Sequence, residues 1–139
     1  AQALTWRFLR NPSGLHRAIG IFAGVRLAAY VVVQVPRPGE STGYLVDVLA
    51  ADAAALAAAM EAGLAALEQA GASTVQATAI DGSWWSGTLL RAGFVPPKPD
   101  NHLNVIVHVL RPDHPLAAAA RDARRWYLTD GDRDDETMG

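Results

Sequence analysis

A few residues in this chain have the types and spacing that chemistry requires. Asp47 is the one carboxylate inside an apolar run, Tyr44-Leu45-Val46-Asp47-Val48-Leu49. Burial there raises a carboxyl pKa toward that of a useful general base, whereas pairing with an arginine such as Arg26 or Arg7 makes the same residue structural. Trp84 and Trp85 offer flat aromatic faces that suit a sugar or an adenine. Adjacent residues on a helix point about 100° apart, so one of the two goes to the core and the other stays free to bind. Asp130 and Asp132 open the run Asp130-Gly131-Asp132-Arg133-Asp134-Asp135-Glu136, which places carboxylates at alternate positions as a calcium loop does. Asp135 occupies the sixth position, where such a loop needs glycine. The run therefore reads as a solvated acidic tail, with one rival. Trp126 and Tyr127 can pin its first part over a cleft and turn Asp130 and Asp132 toward a substrate. No metal site is expected from the histidines. His102 and His108 lie about 20 Å apart if the strand between them is extended, and His16 and His114 stand apart from both.

These residues need elements to position them. Tyr44 to Leu49 has the β-branched and aromatic content of a strand buried on both faces. Asp52 then N-caps a helix whose Leu56, Met60, Leu64 and Leu67 share one side, and Gly71 ends it. Thr74 to Ile80 reads as a second strand. The helix between is long enough to make this a right-handed βαβ crossover with parallel strands. A further helix runs from about Ser83 to Ala92, closed by Gly93 ahead of Phe94.

Upstream, Leu4 to Arg10 forms a short helical end that Asn11-Pro12-Ser13-Gly14 stops. Ala18 to Phe22 and Arg26 to Val35 are strands of an antiparallel hairpin turning at Ala23-Gly24-Val25. Pro36 to Gly43 is an exposed loop. Downstream, Val95-Pro96-Pro97-Lys98-Pro99-Asp100 lacks three backbone donors and makes a rim loop. Leu103 to Leu110 reads as a last strand, Leu116 to Arg125 as a short helix, and Trp126 to Thr129 as an apolar patch docked on the body.

Composition bounds the function. The 139 residues suit one domain, 1–129, with an acidic tail over 130–139. Twelve basic against 14 acidic residues give a net charge of −2, which makes nucleic acid an unexpected partner. The absence of cysteine rules out disulfides and thiolate chemistry. Apolar stretches are too short for a membrane span, so the chain reads as soluble and cytoplasmic. Hydrolase elbows, Walker loops and dinucleotide-binding glycine motifs are all missing.

An antiparallel hairpin, a strand, a crossover helix, a parallel strand and a helix ending in Ala92-Gly93-Phe94 together resemble the GNAT acyltransferase fold over Ala18 to Leu110. Trp6-Arg7-Phe8 with Asn11-Pro12, Val46-Asp47-Val48-Leu49, and Trp126-Tyr127-Leu128-Thr129 with the following acidic run look like a branch of bacterial proteins encoded near polysaccharide and cell-envelope genes. The resemblance implies an α/β (α+β) mixed sheet. It lacks the strand and two helices that usually come first and has only the end of a possible second helix. It also implies transfer of an acyl group from acetyl-CoA or another acyl-CoA to an amine or amino sugar. Asp47 would be the base, with Val48, Leu49, Ala50, Ala51 and Ala53 lining the cofactor seat, and Trp84, Trp85, Asp130 and Asp132 facing the acceptor.

Two departures accompany the match. The turn Ala50-Ala51-Asp52-Ala53-Ala54 has no glycine and no basic residue, and it puts Asp52 where a pyrophosphate would lie. Leu89 stands where the family commonly carries a proton-donating tyrosine. The alternative reading is a catalytically degenerate binding or assembly module, dimerising through its exposed sheet or completed by an N-terminal half.

Overall fold

The computed structural model of the protein describes residues 5–10, 12–96, 107 and 109–132. Residues up to Thr78 and from Thr129 onward form one compact unit, and Ala79 to Leu128 form a second.

The first unit is built on a mixed sheet in the order β1-β2-β3-β4. Strands β1 (His16–Ala23) and β2 (Arg26–Gln34) make the expected hairpin, with Gly24 at φ 61° providing the left-handed turn residue. Strand β3 (Thr42–Ala50) pairs antiparallel with β2. Helix α1 (Ala53–Gln69) then crosses over to β4 (Thr74–Gln76), which lies parallel to β3. This is the α+β architecture with antiparallel hairpin and βαβ crossover that the residue pattern implies. Asp52 caps α1, its carboxylate accepting from the Ala55 N–H at 2.8 Å. Gly71, at φ 88°, comes just after the helix end.

The face of α1 that meets the sheet is not the leucine stripe expected from the sequence. Ala55, Ala59, Met60, Gly63 and Leu67 are buried, while Leu56 and Leu64 are only partly so. The cause is close approach. A Cβ on Gly63 would lie 3.0 Å from Val31 Cγ2 and 3.4 Å from Val33 Cγ1, and one on Gly43 would lie 2.7 Å from Leu67 Cδ2. Small residues let the helix backbone settle onto the valines of β2; of the expected stripe Met60 and Leu67 stay buried, and Leu56 and Leu64 are rotated aside.

Three further expectations are corrected. The strand read as Thr74 to Ile80 ends at Gln76, because β4 pairs with β3 only through Thr42↔Thr74, Gly43↔Val75 and Tyr44↔Gln76. Strand β3 is not buried on both faces along its length, since Leu49 is exposed. The N-terminal helical end is one π-type turn, Thr5–Leu9, closed by Arg10 N–H to Thr5 O at 2.9 Å. It places Phe8 against Val32 and Val46, with Tyr30 and Tyr44 alongside, on the sheet face opposite α1.

In the second unit, Ser83 caps α2 (Trp84–Arg91), accepting from Ser86 N–H at 3.1 Å. A short α3 (Ala117–Ala120) and a 3-10 turn, Ala123–Arg125, replace the single helix expected over Leu116 to Arg125. The last strand expected at Leu103 to Leu110 falls mostly outside the described residues, and Val107, Val109 and Leu110 are not in a strand.

Replacing Gly63 by Val should force α1 off the valine face. The expected loss is about 1–3 kcal/mol, the usual cost of overpacking, read as a lowered midpoint of thermal unfolding. Gly87→Ala in α2, where a Cβ would meet nothing nearer than Arg91 Nη1 at 3.5 Å, should instead be neutral or stabilise by up to about 1 kcal/mol.

Candidate functional site

Two irregularities of β3 build the site. The first is a bulge. Val32 pairs with Asp47 and Val33 with Leu45, so Val46 stands opposite no residue of β2. Strict alternation would set Val46 and Asp47 on opposite faces. The extra residue breaks that alternation. Val46 packs with Phe8 and Val32 on the face away from α1, and Asp47 reaches the same face, accepting a hydrogen bond from the Tyr30 hydroxyl at 2.9 Å.

The second irregularity is the early end of β4. Beyond Tyr44, β3 runs on through Leu45 to Ala50 with no partner in β4. The two parallel strands therefore part company beside the bulge. Thr129 to Asp132 fold against β3 here, so the start of the tail expected from composition is partly buried; its remainder, 133–139, lies outside the described residues. A Cβ on Gly131 would lie 3.3 Å from Val46 O, 3.3 Å from Asp47 Cβ and 3.2 Å from Phe8 Cζ, so no larger residue fits without a shift. Thr129 and Asp130 are buried, and the Thr78 hydroxyl just past β4 donates to the Asp130 carboxylate. Asp132 turns back to accept from the Thr129 N–H at 2.9 Å. The Asp130 and Asp132 carboxylates thus hold the segment's own backbone and neighbours. Their expected substrate-facing role has these contacts to compete with.

Burial raises the Tyr30 pKa well above its ordinary value, and the Asp47 and Asp132 carboxylates add to the rise. Tyr30 therefore keeps its proton throughout the neutral range and donates it to Asp47. Sequence reasoning did not single out Tyr30. Its only signal was a hydroxyl-bearing ring in the apolar run of β2, and its pairing with Asp47 depends on the bulge.

The residues of the expected cofactor seat divide between core, surface and helix end. Val48 is buried opposite Val31, and Leu49 is exposed on the far face beside Tyr30. Ala50 ends β3, and the Ala51 N–H is committed to Ala28 O at 2.9 Å. At the start of α1 the Asp52 side chain takes the Ala55 N–H, and its carbonyl takes that of Leu56. The N–H groups of Ala53 and Ala54 remain at the helix end.

Trp84 and Trp85 belong to the second unit. Trp85 is the core member and Trp84 the exposed one, as their angular separation requires. Tyr127 stacks on Trp84 with centroids 5.2 Å apart, and the Trp126 indole donates to Ala120 O at 3.2 Å. Leu89 is buried and has no proton to give. Arg124 is tied to Asp122 at 2.8 Å, and these hydrogen bonds hold the Asp122 carboxyl below its ordinary pKa. Among the described residues no three acidic or histidine side chains gather at metal-binding range, and no helix is long and apolar enough to cross a membrane. Compared with known proteins, the chain matches no family model, no curated protein and no solved structure.

Because the Tyr30 pKa is higher in the folded state than in the unfolded one, its contribution to stability is complete below about pH 10 and shrinks as pH rises past that value. Urea midpoints measured upward from pH 8 should fall more steeply above pH 10 for the wild type than for Tyr30→Phe. Phenolate absorbance should lose its last-titrating component in the variant.

Proposed function

We propose that this chain is a GNAT-like acyltransferase domain that moves an acyl group from acyl-CoA to an amine, with Asp47 as base and Tyr30 as its proton-holding partner. The carrying observation is the parting of β3 from β4 immediately beside the Val46 bulge, with the Tyr30–Asp47 pair at that point. Parallel strands that separate after three pairs leave one edge of β3 without a β4 partner, and a thioester would lie there alongside the Thr129 to Asp132 segment. The Ala53 and Ala54 N–H groups at the start of α1 offer a seat for one phosphate of the donor.

In this reaction the amine nitrogen attacks the thioester carbonyl, a C–N bond forms and the C–S bond breaks. Asp47 accepts the ammonium proton. Asp47 passes that proton to the leaving thiolate while Tyr30 keeps its own and holds the carboxylate in place, so charge and protons balance. Positioning supplies most of the acceleration, and the proton relay the remainder.

A second reading, a binding or assembly module without catalysis, is favoured by two observations. The Asp52 carboxylate already occupies part of the helix end that a pyrophosphate would use. Phe22, Leu27 and Leu49 are 64%, 50% and 59% exposed. Register places Gly20, Tyr30 and Leu49 in one row across the face opposite α1, and Phe22 and Leu27 both close over Gly20. Such a patch suits a second copy of the chain.

Calorimetric titration of acetyl-CoA separates the two. The transferase reading expects saturable binding that tightens about fivefold in Asp52→Ser, which keeps the cap and removes the negative charge. It also expects release of free thiol with an amine acceptor, lowered about 10²- to 10⁴-fold in Asp47→Asn. Absence of binding by both folded wild type and Asp52→Ser would leave the assembly reading, to be checked by the solution mass.

A further inference from the structure

Helix α2 carries an array that the acyl-transfer chemistry does not use. Trp84, Thr88 and Arg91 stand at i, i+4 and i+7, which places them on one stripe of the helix. Trp84 is 49% exposed, a large indole surface to leave in water. It is nevertheless held rigidly. Tyr127 stacks on it at 5.2 Å with an interplanar angle of 17°, and the buried Trp85 braces it edgewise at 5.9 Å. Trp85 also meets Tyr127 edge to face at 5.8 Å, which closes the three rings into one cluster.

The polar atoms along the stripe are equally defined. Thr88 Oγ1 donates to Trp84 O at 3.0 Å and accepts from Arg91 Nη2 at 3.1 Å, which draws the guanidinium back along the helix toward the indole. Among the described residues no carboxylate pairs with Arg91 and no acceptor takes the Trp84 indole N–H. The stripe thus presents an aromatic plane, an N–H donor, a second lone pair on Thr88 Oγ1, and one guanidinium with donors to spare.

We propose that this stripe binds the acidic sugar units of a carbohydrate. The C–H face of a pyranose lies on Trp84, ring hydroxyls meet the indole N–H and Thr88 Oγ1, and the sugar carboxylate pairs with Arg91. A planar base would use the indole but carries no carboxylate for Arg91. A di- or triphosphate would need more positive charge than one arginine, and Ser83 already caps the start of α2. The carboxylate suits a guanidinium through paired N–H donors, which a lysine would not reproduce. Every residue of the stripe lies in the second unit, so the proposal stands apart from the acyltransferase reading.

The test uses the full chain and follows tryptophan fluorescence, with calorimetry in support, as tetragalacturonate is added. The comparison ligand is its methyl ester, which has the same rings without charge. Saturable binding of the acid at millimolar or lower Kd is expected, with the ester about tenfold weaker, the usual worth of a charge-assisted pair at a partly exposed site. Arg91→Gln should bring the acid down to the level of the ester. Trp84→Ala should abolish both, and Trp84→Phe, which keeps a ring, should recover part of the binding. Unchanged thermal unfolding of the variants makes these losses attributable to the stripe. The proposal is overturned if tetragalacturonate shows no saturation by about 10 mM, if acid and ester bind alike, if Arg91→Gln binds the acid as the wild type does, or if adenosine monophosphate binds more tightly than the sugar acid.

Discussion

The contact on which the first unit depends is the close seating of α1 on the valines of β2. Gly63 lies over Val31 and Val33, and Gly43 lies under Leu67, so close that a Cβ on Gly43 would clash with Leu67 and one on Gly63 would require Val31 to give way. Burying Val31, Val33, Leu45 and Val48 under α1 supplies the apolar driving force at this interface. It also decides where the crossover ends. A helix of 17 residues spans about 25 Å, and from that seat the chain reaches β4 only at the start of β3.

Among the described residues, β4 shares only the first three positions along that edge of β3. Buried strand edges carry backbone donors and acceptors that must be satisfied, and Thr129 to Asp132 lie against this one. Gly131 is the residue that makes the fit, since its missing Cβ allows approach to Val46 O. Asp130, Thr78, Asp132 and Thr129 then satisfy one another, so a stretch that composition marks as solvent-loving is instead partly buried. Any ligand that uses this edge of β3 works alongside that segment.

The same bulge that interrupts β3 defines the chemistry. Without the unpaired Val46, Asp47 would face the helix side, where a carboxylate among valines would have no hydroxyl partner. With it, Asp47 meets Tyr30, and burial keeps that hydroxyl protonated. In the second unit the division of labour is simpler. A helix that begins with two tryptophans must send them in different directions, so Trp85 goes to the core and Trp84 outward, where Tyr127 stiffens it.

The sequence by itself determined the element order from the hairpin through α2, the crossover, the Asp52 cap and the glycines after both helices. Each of these rests on neighbours within a few residues, where capping, turn chemistry and periodicity act directly. It also singled out Asp47 and the tryptophan pair, because their types are conspicuous in their local settings. Tertiary structure decided the rest. The small-residue face of α1, the early end of β4, the bulge at Val46, the Tyr30–Asp47 pair and the burial of Asp130 each depend on residues far apart in the chain. No local pattern records that a helix can approach a sheet closely enough to turn Leu56 and Leu64 aside, or that a β-strand gains one residue midway. Those outcomes are set by packing against partners that only the folded chain brings together.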